Sequence, residues 1–147
     1  MPFVAGVDSS TQSCKVEIRD LDSGQVIAVG RAAHPPTSPP RSEQDPNAWW
    51  AALVDAFGEV GSVAGQVAAI GVGAQQHGMV VLDADNRPLR PAKLWNDTES
   101  AAEATRLTEA VGAETWATRV GSVPVASFTI SKPVSYTHLT LPTNGCV

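Results

Sequence analysis

Val4-Ala-Gly-Val-Asp8-Ser-Ser-Thr11-Gln-Ser13-Cys-Lys15 is the stretch whose reading decides the fold. A short apolar strand, Phe3 to Val7, runs into an aspartate, and a turn of small polar residues follows. A second strand leaves from Lys15. It alternates Val16 and Ile18 against Lys15, Glu17 and Arg19, the period of a half-buried strand. The first strand has no such alternation and reads as buried on both faces. The turn suits an anion. Small side chains let backbone N–H groups approach a phosphate, and the hydroxyls of Ser10, Thr11 and Ser13 add donors. Asp8, at the strand end, is placed to hold Mg²⁺ directly or through water. An ordinary hairpin with an Asx or Ser/Thr turn has the same local pattern, so the stretch needs support from downstream.

Working outward, Leu21-Asp-Ser-Gly24 is a turn, and Gln25 to Ala33 supplies a third strand through Val26, Ile27 and Val29. Three strands on tight turns make an antiparallel meander. His34 to Pro46 carries Pro35, Pro36, Pro39, Pro40 and Pro46, too many for a helix or a central strand. Asp45-Pro46 then reads as the N-cap and first position of a helix. Trp49, Trp50, Leu53, Val54 and Phe57 recur at helical spacing and predict one buried apolar face. Val67 to Val72 is an apolar strand running into Gly71-Val-Gly73-Ala-Gln75-Gln76-His77-Gly78, and Met79 to Leu82 reads as another strand. A meander, a crossover helix and a further strand spell an α/β fold with a mixed sheet. Ligands gather at the carboxyl ends of strands in such sheets. Asp8 and the Gln75–His77 stretch both sit at such ends. A neutral imidazole at His77 gives and takes one hydrogen bond each, which suits a hydroxyl. Pro88 to Asp97 reads as extended or loop-like. Asp97 or Thr98 is placed to cap a helix from Glu99 to about Val111, with a shorter one from Ala113 to Arg119.

Bulk properties bound the function. The chain has 147 residues, enough for one domain with a real core. Its net charge of −5 argues against nucleic acid or an anionic membrane as partner. No apolar run is long enough for a membrane span, and the N-terminus has no secretory pattern. Cys14 and Cys146 show no metal spacing, so a reduced, cytoplasmic protein is expected.

Four stretches together resemble the FGGY family of carbohydrate kinases. Gly6-Val-Asp8-Ser-Ser-Thr11-Gln-Ser-Cys-Lys15 is similar to the family's first phosphate loop. Ser42-Glu43-Gln44-Asp45-Pro46-Asn47-Ala-Trp49-Trp50 is similar to its glutamine-aspartate-proline helix start. Gly73-Ala-Gln75-Gln76-His77-Gly78 resembles the sugar-contacting turn of its xylulose-phosphorylating members. Leu89-Arg-Pro91-Ala-Lys-Leu-Trp95-Asn96-Asp97 resembles the segment after it.

The resemblance spans residues 3 to 132, about a quarter of a full-length kinase. It implies the N-terminal, sugar-binding part of an actin-like (ribonuclease-H-like) domain, residues 1–132, with no C-terminal ATP-binding domain. It implies ATP-dependent phosphorylation of D-xylulose with Mg²⁺, and a possible homodimer in the full-length protein. Asp8 would serve the Mg²⁺–phosphate end as metal ligand, and Ser10, Thr11 and Ser13 the phosphate loop. Gln76 and His77 would contact the sugar, with Asn96 and Asp97 nearby. The family's catalytic base, a later aspartate, has no counterpart here, so the 147-residue chain is expected to be inactive.

The sequence departs from the family at three points. Ser10 stands where glycine is frequent, Gln76 where methionine is common, and Thr98-Glu99-Ser100 where some relatives carry an arginine. Gln76 leaves room for another ketose or polyol, and a non-catalytic actin-like binding module is the reading from a different class.

Pro133 to Val147 holds no Asp, Glu, Lys or Arg and carries the only tyrosine, Tyr136. No periodicity is evident there. Ser135-Tyr-Thr-His-Leu-Thr-Leu-Pro-Thr143 resembles a translated sequencing-adapter read. The expectation is that the native frame ends near Lys132 and that 133–147 is a sequencing or frame artefact.

Overall fold

A computed structural model describes residues 2–140 as two units. Of the described residues, the first comprises 2–36, 44–76 and 82–91, the second 37–43, 77–81 and 92–140.

The first unit holds the meander: β1 (Phe3–Ser9), β2 (Ser13–Asp20) and β3 (Val26–Ala33), paired antiparallel in sequence order. Helix α1 (Pro46–Glu59) crosses over, and the strand Val67–Ala74 returns parallel to β1, so β1 is flanked by β2 and by this later strand. β2 alternates as its sequence predicts, with Cys14, Val16 and Ile18 buried. They form the core with Ala5, Val7, Ala52, Ala56 and Val60. β1 departs from expectation. Only Ala5 and Val7 are buried, while Gly6 and Asp8 are exposed. In this unit α1 is the helix in the core cluster, and a sheet covered on one side buries alternate residues only.

The start of α1 is as expected: Asp45 Oδ1 accepts from the Asn47 N–H at 2.9 Å, and Pro46 takes the first turn. Its buried face is not. Ala52 and Ala56 face the core, Trp49, Leu53 and Phe57 are half-buried, and Trp50 and Val54 are 69% and 54% exposed. The reason is close approach. A Cβ added to Gly30 would overlap the Ala56 carbonyl oxygen and lie 3.1 Å from Glu59 Cβ. Only small residues fit where helix and β3 meet, which turns Trp50 outward.

In the second unit Met79 and Lys93 exchange backbone hydrogen bonds at 2.8 and 3.1 Å, and the Leu94 N–H donates to the Ser42 carbonyl at 2.9 Å. Ala92, Leu94 and Ala104 are buried apolar residues there. The expected strand Met79–Leu82 does not form. Met79 makes only that isolated bridge, and Leu82 bridges Pro88 within the first unit.

Helices α2 (Ala101–Val111), α3 (Ala113–Val120) and α4 (Ser131–Thr140) follow. Gly112, at φ +88°, separates α2 from α3. α2 starts two residues later than expected, because Glu99 is held by side chains before the helix begins. Neither Asp97 nor Thr98 is its N-cap. Ser100 holds that position without a capping bond and turns its Oγ to the Ala126 carbonyl at 3.1 Å. α4 runs through a stretch where no regular structure was expected. Pro133 falls in its first turn, where its missing N–H would have no helical acceptor. The rest of the expected aberrant tail, 141–147, lies outside the described residues.

Candidate functional site

In the first unit β1 and the strand Val67–Ala74 end side by side. Asp8 pairs with Gly73 on one flank and Lys15 on the other, and the Gln75 N–H donates to the Ser9 carbonyl at 3.3 Å. Register thus brings the Asp8 turn and the Gln75-Gln76 segment to one sheet edge. Asp8 is exposed, and its carboxylate makes no ion pair among the described residues. Gln76 is exposed too, and the Gln75 Oε1 is buried without a partner among the described residues.

The turn after Asp8 is held by its carbonyls. The Ser10 N–H and Oγ both donate to the Ser13 carbonyl at 3.0 Å. His34 Nδ1 lies 2.9 Å from the Ser10 carbonyl, so that nitrogen carries the proton, and the His34 N–H donates to the Gln12 carbonyl at 2.8 Å. Gln44 Nε2 donates to the Thr11 carbonyl at 3.0 Å and to the Pro35 carbonyl at 2.5 Å, while its Oε1 accepts from Trp49 Nε1 at 2.7 Å. Every carbonyl from Ser10 to Ser13 is therefore tied to the protein. A turn that receives an anion needs this, because a carbonyl oxygen facing the anion would repel it.

Ser10, the residue in place of the family's glycine, is not among the non-glycine residues at positive φ, which are His77 and Asn86 among the described residues. The serine thus carries no left-handed strain. Its hydroxyl closes the turn. His34 and Gln44 were not assigned roles by sequence reasoning. Their partners lie 24 and 33 residues away, and no local pattern signals such contacts.

Gln44 is 2% exposed. Gln44→Leu strips the Thr11 and Pro35 carbonyls and the Trp49 N–H of a partner. It is expected to cost about 2 kcal/mol or more of stability. Urea unfolding followed by tryptophan fluorescence checks this, and an unchanged midpoint would contradict it.

The second unit holds His77, Asn96 and Asp97. His77 is exposed, at φ +56°, and its ring stacks on Phe128 with centroids 4.4 Å apart and planes 17° from parallel. Asn96 is half-buried, and its Oδ1 is buried with no partner among the described residues. Asp97 is fully buried and fully used. Its Oδ2 accepts from the Ser42 N–H at 3.0 Å, its Oδ1 from the Glu99 N–H at 3.2 Å, and Lys93 Nζ reaches both oxygens at 3.2 and 3.3 Å. Lys93 Nζ also meets Glu43 at 3.3 Å and Glu99 at 2.6 Å, and Arg41 holds Glu99 from outside at 3.1 Å.

Burial pulls the Lys93 ammonium down, but its hydrogen bonds to Glu99 and Asp97 outweigh that and raise it above its usual value. The Lys93 hydrogen bond holds the Glu99 carboxyl below the usual range. Glu43, Asp97 and Glu99 bring carboxylate oxygens within 4.8 Å of one another, the spacing of a cation site. Here the cation is the Lys93 ammonium. Asp97 thus orders the turn that carries Asn96.

Asp8 thus presents a carboxylate at a strand end, beside a turn whose carbonyls from Ser10 to Ser13 are bonded within the protein. The chain belongs to the FGGY family of carbohydrate kinases, whose N-terminal domain matches residues 3–134. The fold is accordingly the N-terminal part of the actin-like, ribonuclease-H-like domain. Among relatives, xylulose kinase from Streptomyces rubiginosus is 50% identical over 132 residues, covering 89% of this chain and 27% of the relative. That from Streptomyces coelicolor is 51% identical over the same shares. The crystal structure of xylulose kinase from Bifidobacterium adolescentis superposes with a TM-score of 0.85 at 39% identity, covering 92% of this chain and 29% of that one. The chain therefore spans about a quarter of the length of these relatives.

Proposed function

We propose that this chain is the sugar-binding part of an ATP-dependent kinase that phosphorylates the 5-hydroxyl of D-xylulose. The observation that carries this is the Asp8 turn, with a free carboxylate beside carbonyls tied inward at Ser10, Thr11, Gln12 and Ser13. The identity to xylulose kinases supports the choice of sugar.

The residues fit the cofactors. Asp8 offers an oxygen donor of the hard type Mg²⁺ prefers, and Thr11 and Ser13 are the hydroxyl residues beside it. ATP supplies the phosphoryl group, and Mg²⁺ neutralises charge on its phosphates. The protein's share is positioning. On the sugar side, the unpartnered Asn96 Oδ1 would accept from a hydroxyl, since a buried amide oxygen left unpaired is costly. His77 would exchange hydrogen bonds with another hydroxyl, and Gln76 would add amide contacts. Asp97 contributes by holding the Asn96 turn, its own oxygens being occupied.

No residue here is assigned as the base that takes the hydroxyl proton. The 147-residue chain alone should therefore release no ADP with D-xylulose and ATP. The activity belongs to the longer, cytoplasmic protein that carries this domain. Residues 133–147 are proposed as foreign to the domain, a reading that peptides spanning Lys132 to Tyr136 from intact source protein would overturn.

Coupled ADP assays on the complete gene product, with D-xylulose, D-ribulose, glycerol and gluconate in parallel, test the substrate. D-Xylulose should give the highest kcat/KM. A higher value for another sugar would move the assignment to that sugar, with the Gln76 amide as the first residue to examine. Sugar-dependent ADP release by the 147-residue chain would contradict its inactivity.

A further inference from the structure

The His77 ring is exposed, yet it is not free to turn. Its backbone sits in the left-handed region, a conformation that costs a non-glycine residue about 1 kcal/mol and persists only where surrounding contacts fix it. Its imidazole lies flat on Phe128, with ring centroids at 4.4 Å.

Phe128 is itself mounted rigidly. Its N–H donates to the Val125 carbonyl at 3.0 Å, and its carbonyl accepts from Ser131 Oγ at 2.8 Å. Ser131 is fully buried and meets Ser100 Oγ at 2.9 Å. The fully buried Lys132 donates to the Ser127 carbonyl at 2.5 Å. A cavity of about 190 Å³ opens beside the stacked rings, lined also by Trp116, Ser122, Thr129 and Ile130.

We infer that Phe128 is a positioning residue: by stacking on His77 it fixes the imidazole plane, and so the direction in which that ring meets a sugar hydroxyl. A hydrogen bond made by an imidazole lies in the ring plane, so the stack determines which hydroxyl is addressed. It also removes ring rotation before the sugar arrives, which lowers the ordering cost of binding. This rests on the reading of His77 as a sugar contact.

The test uses ¹H–¹³C spectra of the histidine rings in the 147-residue chain, which has three histidines, with His77→Ala assigning the signal. D-Xylulose is titrated into the wild type, Phe128→Leu, Phe128→Tyr and His77→Ala. Phe128→Leu should move the His77 ring protons downfield through loss of the ring current. It should also weaken D-xylulose binding by about tenfold, the scale of a misdirected contact. Phe128→Tyr should keep both the shift and the affinity, which a role in packing bulk alone would not require. Unmoved His77 signals in Phe128→Leu would overturn the proposal. So would wild-type affinity in Phe128→Leu while His77→Ala binds weakly. His77→Ala that binds D-xylulose like the wild type would instead remove the sugar contact itself, and the positioning role with it.

Discussion

Lys93→Met should cost the chain about 3–5 kcal/mol at neutral pH, the range found when one partner of a buried ion group is removed. Lys93 is 5% exposed, Asp97 is fully buried, and the ammonium stands among three carboxylates. Methionine keeps the stem volume and leaves Glu43, Asp97 and Glu99 facing one another.

The pH dependence should then reverse. In the wild type, the folded-state value of Glu99 lies below its usual 4.5. Its contribution is present above that usual value and is lost as pH falls through the depressed one. Lys93 lies above its usual 10.5, so its contribution is present below 10.5 and is lost only as pH rises through the raised value. Between these limits the wild-type contribution is flat. In Lys93→Met the Glu99 carboxyl loses the hydrogen bond that lowers it and faces two carboxylates, so the folded state binds a proton there more readily. The variant should recover stability between neutral pH and about pH 5, where the wild type gains none. Urea midpoints at the two pH values check this. A variant gap that widens on acidification would contradict it.

Gly30→Val is the second large effect. The added Cβ overlaps a backbone carbonyl of α1, which is no flexible side chain that could step aside. The helix would have to lift from β3, breaking the bond from the Arg31 N–H to Glu59 Oε2 at 2.7 Å and opening the core around Ala52 and Ala56. A loss of about 3 kcal/mol or more is expected, the upper range for overpacking. Gly58→Ala on the same helix is the control. A Cβ there meets nothing within 4 Å, so it should stabilise by roughly 0.5–1 kcal/mol through helix propensity. Equal effects in circular-dichroism melts would show that the close approach at Gly30 does not govern the packing.

Local chemistry made much of this legible in sequence. The alternation of β2, the Asp45-Pro46 helix start and the meander needed only neighbours in the chain, and all three stand in the structure. The nearness of the two strand ends was legible as well: β1 and the later parallel strand run side by side, with Asp8 opposite Gly73, and end together at Ser9 and Ala74.

What was not legible depends on distance along the chain. Hydrophobicity pointed Trp50 inward, but the fit of Ala56 against Gly30 decided the face of α1. The clamp of Gln44 and His34 on the Asp8 turn joins residues far apart in sequence, and polar residues in a proline-rich loop give no sign of it. Asp97 read as a helix cap or a sugar neighbour. Only the positions of Ser42, Lys93 and Glu99 show it as the hub of a buried ion group.

The most direct measurement of the central claim is a calorimetric titration of D-xylulose into the 147-residue chain, with glycerol as comparison and His77→Ala as control. D-Xylulose should bind with measurable heat, glycerol more weakly, and His77→Ala should lose most of the D-xylulose signal. A folded chain that takes up no D-xylulose, or takes it up equally well without the His77 ring, would contradict the claim that its sugar site lies at that turn.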